Sequence, residues 1–237
     1  MSAGLLHRAG EAWAFRARVE REAARRFGRL AGAIREVDPG SPVPDMMEHA
    51  ASDETRHAVL CAELAAAYGR PADGELAEVD IVPAGLGRRE GVLYEVVAAC
   101  CLTETESVAT LTALLAAGSE PRVGEILHEI ARDEILHSRM GWAHLSRAVP
   151  VGVAFLAPFI PVMLAGGVDP QLFDPADADE PPAAELLRHG VLPRARKRDI
   201  FVATLHDVVF PGLERFGVDV AHAWSWLAER RTGKSPS

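Results

Sequence analysis

Residues 51–58 read ASDETRHA and residues 131–137 read ARDEILH, so the pattern Asp-Glu-x-x-His occurs twice, 80 residues apart. Positions three apart on a helix project to the same side. Glu54 with His57, and Glu134 with His137, therefore each pair a carboxylate and an imidazole on one helical face. A single copy would fit a solvated ion pair. Two copies raise the question of whether the rest of the chain places matching carboxylates beside them.

The hydrophobic period gives four long helices, over about 10–37, 45–68, 89–117 and 121–148. The first stops at DPGSPVPD, a turn rich in Pro and Gly, and Pro121 suits the first turn of the fourth. The connections are short, long, short, with GRPADGELAEVDIVPAGLG as the long one. That order predicts an all-α four-helix bundle, two helical hairpins joined by a long crossover, plus extra C-terminal helices. Two regions follow, a bundle over 1–148 and a C-terminal helical extension over 149–237 packing on it.

Each of the four helices carries one Glu in an otherwise apolar stripe. On the first, the register Trp13, Glu20, Phe27, Ile34 puts Glu20 on the buried side, with Glu22 turned to solvent. On the third, Leu93, Val97, Cys100, Cys101, Val108, Leu111 and Leu115 form the stripe and Glu104 lies near its centre, with Glu106 turned away. Glu54 shares its face with Met47, Ala50, Ala58, Cys61 and Ala65, and Glu134 with Val123, Leu127, Ile130 and Leu145. Four ionised carboxylates in one apolar core would each cost several kcal/mol in desolvation and repel one another. They must take up protons or bind cations. Two divalent ions supply the missing charge, and a carboxylate and imidazole set suits Fe, Mn or Zn. Glu20, Glu54, His57, Glu104, Glu134 and His137 are the expected ligands.

In this order the residues resemble the ferritin-like di-iron carboxylate superfamily, which includes rubrerythrins, multicomponent monooxygenases, ribonucleotide reductase small subunits and N-oxygenases. The pattern there is a Glu, then Asp-Glu-x-Arg-His one helix later, then the pair again. Here it reads Glu20, Asp53-Glu54-Thr55-Arg56-His57, Glu104, Asp133-Glu134-Ile135-Leu136-His137, with Leu136 where the fuller motif has Arg. The resemblance covers about residues 10–148. It implies that Glu54 with Glu104, or Glu54 with Glu134, bridges the metals, and that Asp53, Arg56 and Asp133 support the ligands from behind. It implies two metal ions, Fe/Fe first and Mn/Fe second, and an oxidoreductase that activates O2 or peroxide on an unidentified small substrate. Iron handling as a ferroxidase and a catalytically silent metal-binding bundle are the alternatives.

Composition narrows the partners. A net charge of -9 argues against nucleic acid, whose binders carry a basic face. With no CxxC among three cysteines, electrons would come from an external donor, and a cytoplasmic setting is expected. A homo-oligomer, specifically a dimer, is the expected assembly. Residues 148–168 carry no charge, close to the ~20 residues that span a bilayer, but Pro150, Pro158 and Pro161 break them up. They are read as a buried segment covering the core, or as an oligomer contact, and as a lining for a substrate pocket. DPQLFDPADADEPPAAE reads as a surface loop, RARKRDIFVATLHDVVFPGLERF and VAHAWSWLAERR as helices, and TGKSPS as a frayed tail. His49 and His128 fall off the metal face, and His144 lies on the edge of His137 but two turns further on. Cys61, Cys100 and Cys101 read as core.

Overall fold

The computed structural model describes residues 1–74, 77, 79–175, 177 and 179–232. The frayed tail expected after Thr232 lies outside the described residues, as do residues 75, 76, 78, 176 and 178 of the two connections. The bundle consists of α1 (Ala3–Val37), α2 (Val43–Ala67), α3 (Arg88–Ala117) and α4 (Pro121–Ala148). After it come α5 (Ile160–Gly167), α6 (Ala183–Arg188), α7 over 194–215, and α8 (Ala221–Thr232). No strand occurs among the described residues.

Helix α1 begins seven residues earlier than the sequence suggests. The Ser2 hydroxyl caps it by accepting from the Leu5 N–H at 3.2 Å, and Leu5 and Ala9 are buried. Gly10, at the expected start, is a helix-interior contact: a Cβ there would lie 2.8 Å from the Arg70 Cβ, just past the end of α2. On α3 the Glu90 carboxylate accepts the Gly87 N–H at 2.9 Å, half of a capping box. Gly118, at φ +76°, ends α3 and lets the chain turn into α4.

Helix α3 is not uniform. Residues Val97–Glu104 form a π-helical segment between two α-helical stretches, Arg88–Val96 and Thr105–Ala117. The wider turn shifts the register of everything after it. Leu114 is buried where an unbroken 3.6-residue period selects Leu115, and Val108 is only half-buried. Among the described residues, Arg88–Ala117 is the one helix long and apolar enough to cross a membrane. It is a bundle helix, with Val96, Ala99 and Cys100 facing one apolar cluster and Leu93, Val97 and Cys101 another.

The bundle interior is layered. One apolar cluster holds Phe27, Leu30, Ile34, Met47, Val96 and Met140, and a second holds Trp13, Cys61, Leu64, Leu111, Leu114 and Leu127. Burying each of the large side chains among them contributes about 2–3 kcal/mol against solvent. Between the two clusters, in sequence on every helix, lie the four glutamates.

The third cluster joins bundle and extension. Leu93, Tyr94, Val97 and Leu102 of α3 pack with Leu156, Ile160, Met163, Phe201, Leu205 and Phe210. The uncharged stretch 148–168 is broken into 3-10 turns at Val149–Val151 and Ala154–Phe159 before α5 starts, with prolines in both turns and in the first turn of α5. Its inner residues cover α3. The acidic, proline-rich stretch after Val168 is not all loop: Ala183–Arg188 is a helical turn and a half, held by the Glu120 N–H donating to the Arg188 carbonyl at 2.8 Å.

Candidate metal centre

The six candidate ligands converge. Glu20, Glu54, His57 and Glu134 form one group and Glu54, Glu104, Glu134 and His137 a second; within each, one ligand atom from every residue lies within 4.8 Å of the others. All six side chains are buried. The two groups share Glu54 and Glu134.

The imidazoles are oriented alike. His57 turns Nδ1 to the Glu54 carboxylate at 3.1 Å and Nε2 to Asp133 at 3.2 Å. His137 turns Nδ1 to Glu54 at 2.9 Å and Glu134 at 3.3 Å, and Nε2 to Asp53 at 3.3 Å. The support is crossed, since the Asp of each motif holds the His of the other. Arg56 joins the two halves: Nη1 donates to Asp53 at 2.9 Å, Nη2 to Asp133, and Nε to Glu129 at 3.0 Å. One guanidinium thus serves both aspartates. Leu136, at the place of the second Arg, is 55% exposed, and Arg132 reaches Asp133 instead, at 3.0 Å.

Burial raises the carboxyl pKa of Glu20 and Glu104 well above the usual range, reinforced by the charges of Glu54 and Glu134 respectively. Burial also raises Glu54, and brings Glu134, beside the charge of Glu54, up to about 7. Burial holds His57 below its ordinary value. For His137 burial acts in the same direction, but the close carboxylates of Glu134 and Glu54 prevail and push it up to about 11. Burial works against ionisation of Asp133 too; Arg132 and His57 outweigh it and keep its carboxyl below the usual range. Asp133 is therefore held as an anion, while burial pushes the four inner glutamates toward their protonated forms.

Glu54 Oε1, Glu134 Oε2 and His137 Nδ1 are buried without a hydrogen-bond partner. The two oxygens lie 2.9 and 3.3 Å from His137 Nδ1, and neither contact forms a hydrogen bond. Unpartnered buried polar atoms are costly in a protein core. A set of oxygen and nitrogen donors aimed at common points, each imidazole backed by a carboxylate, fits a binuclear metal site.

A solved structure, a protein with aldehyde deformylating oxidase activity from Synechococcus, superimposes with a TM-score of 0.63 over 96% of this chain and 98% of its own, at 17% sequence identity. The fold is ferritin-like. No protein-family model matches the chain, and no curated protein matches it.

Some neighbours of the site escape the helical period. Glu95 is buried and takes Arg29 Nη1 at 2.9 Å, with Arg26 3.9 Å away. Its partners are on α1, so only the fold brings them together. Glu129 and Arg132 flank the second motif, and the signal that could have found them is the missing Arg at position 136. Among the described residues, other side chains do not join the two quartets. His49 and His128 are exposed, Tyr94 packs edge-on against Phe159 at 5.7 Å, and burial keeps the Cys61 and Cys100 thiols protonated. Glu22 is half-buried and paired with Arg26 rather than free in solvent.

Proposed function

We propose that the chain is a di-iron carboxylate oxidoreductase that uses O2 or peroxide on a small apolar substrate. The observation that carries this is the pair of overlapping buried quartets sharing Glu54 and Glu134. Glu20 and His57 would complete one position, and Glu104 and His137 the other. When bound, two redox-active ions held by carboxylates supply electrons to O2 or peroxide, with Fe/Fe first and Mn/Fe second.

The protein's part is to hold that chemistry in place. Asp133 and Asp53 keep a proton on Nε2 of His57 and His137, so that Nδ1 of each ring faces the glutamates. Arg56 locks both aspartates to one another. The apolar clusters on either side of the carboxylate layer exclude water. Leu102 and Thr103, beside Glu104, line a cavity whose other wall includes Met163, Leu164 and Gly167. This agrees with a substrate pocket walled by the apolar segment.

The Synechococcus protein's activity makes aldehydes the first substrates to try. An external electron donor, a dimeric assembly and a cytoplasmic setting complete the reading. Metal analysis, with the optical spectrum of the reduced protein on exposure to O2, tests it. The expected result is two irons per chain and a spectral change on O2 addition; fewer than two metals, or a spectrum indifferent to O2, overturns it. A large hollow particle on size exclusion would turn the reading to iron storage.

A further inference from the structure

We propose that Arg16 is a positioning residue for Glu20, holding that carboxylate at the metal position it shares with His57. The assignment rests on the di-iron reading, because Glu20 needs such a partner only as a ligand. Both imidazoles of the site are backed by an aspartate, Asp133 behind His57 and Asp53 behind His137. Ligating carboxylates take hydrogen-bonding partners of the same kind. For Glu20 the fold offers Arg16. The two stand four residues apart on α1, the spacing of neighbours along one side of a helix. Arg16 Nη1 is buried and makes no hydrogen bond. A donor shut away from water without an acceptor is costly. The charge of Arg16 is felt where the proposal needs it: burial raises the Glu20 carboxyl and the Cys61 thiol of α2, and Arg16 pulls against burial at both.

The guanidinium is anchored from behind. It lies over the Trp13 ring, 4.8 Å from the centroid. Trp13 is fixed in turn. Its Nε1–H donates to the His189 carbonyl at 2.9 Å, and Gly190, at φ +72°, leaves the ring its space, since a Cβ there would lie 2.6 Å from it. A cation stacked on a fixed indole keeps its place without a carboxylate partner, and its Nη1–H stays available. A carboxylate has about four lone-pair sites, so one that binds a metal still accepts hydrogen bonds. The positive charge of a bound ion works against Arg16, so positioning and repulsion predict opposite signs for its removal. Positioning predicts weaker metal binding, at the Glu20 position only.

The test is Mn2+ binding to the full, chelator-treated chain, followed by the EPR signal of the free ion, in the parent, Glu20→Ala and Glu104→Ala backgrounds. In the parent, Arg16→Met should weaken one of the two Mn2+ affinities by about 10–100-fold and leave the other within about twofold. The loss should persist in Glu104→Ala, which keeps the Glu20 position, and vanish in Glu20→Ala. Arg16→Lys, which keeps a donor and the charge, should recover most of the affinity. Equal weakening of both positions overturns the proposal, because a side chain that only packs on Trp13 would act on both alike. Unchanged or tighter binding in Arg16→Met overturns it too, and would mean that the guanidinium repels the ion rather than placing its ligand. So does Arg16→Lys binding no better than Arg16→Met. A parent chain that takes up fewer than two Mn2+ overturns the di-iron reading and this assignment with it, whereas two in the parent with the wrong pattern among the variants overturns the assignment alone.

Discussion

Helices α2 and α4 carry the same motif at an offset of 80 residues, and comparing them position by position separates what the site needs from what each half adds. Asp53, Glu54 and His57 match Asp133, Glu134 and His137, and these face the shared carboxylate layer in equivalent ways. The differences lie just outside. Arg56 is matched by Leu136, Cys61 by Gly141 and Leu64 by His144. The matched residues would hold the two proposed metal positions, and the unmatched ones show that the halves are held by different means.

The largest effect should come from breaking what the halves share. Glu54→Ala or Glu134→Ala removes a carboxylate common to both quartets, so each variant is expected to lose both metals. Glu20→Ala and Glu104→Ala each remove a residue from one quartet only and should retain one metal per chain. Metal analysis of the four variants reads this directly. Two metals per chain in Glu104→Ala would falsify the assignment of that residue.

The next effect concerns Arg56 against Leu136. Because Arg56 contacts both Asp53 and Asp133, Arg56→Met should reduce affinity at both positions by about 10–100-fold. Arg132→Met leaves Asp133 with Arg56 and should cost much less. Adding Leu136→Arg to Arg56→Met should not restore binding, because that side chain points to solvent. Competitive chelator titrations would show it; recovery in the double variant would mean that the halves are more alike than their contacts indicate.

Cys61 against Gly141 marks where α4 meets the π-helical segment. A Cβ at Gly141 would lie 2.5 Å from the Cys100 Cβ and 2.9 Å from the Cys100 carbonyl carbon and the Cys101 nitrogen. Backbone cannot yield as a side-chain tip can. Gly141→Ala should therefore destabilise the chain by about 3 kcal/mol and push α4 away from the turn that carries Glu104. A loss of under 1 kcal/mol in denaturant unfolding would show that the two helices can separate freely.

The bundle, its four glutamates and both histidines were legible because helical periodicity is local, and a Glu among alanines and leucines stands out from its own neighbours. The crossed support was only half legible. Asp53, Arg56 and Asp133 follow from the motif, but that one guanidinium reaches both aspartates depends on how closely α2 and α4 approach. The π-helical segment was not legible, since its sequence VAACCLTE continues a helical pattern. For the same reason the period missed Leu114, and it missed Glu95, whose arginines lie on another helix.

The smallest difference, Leu64 against His144, is a question of pH. Both side chains are buried, but His144 has no hydrogen-bond partner at Nδ1, and burial lowers its pKa to about 4 from an ordinary 6.5. Asp38 pulls the value up, while Arg147 and Arg89 pull it down. The native chain thus keeps His144 neutral where the unfolded chain takes a proton. Stability from this group is complete above pH 6.5, is lost progressively as pH falls from 6.5 to 4, and is constant below that. The loss is about 3 kcal/mol at most, from the shift at 1.36 kcal/mol per unit. His144→Leu copies the residue of the other half and removes the titration. Its stability relative to the parent chain should rise as pH falls from 6.5 to 4 and stay level above 6.5. A difference that does not change with pH over that interval would mean that His144 is already protonated in the folded chain, with Asp38 rather than burial setting its charge.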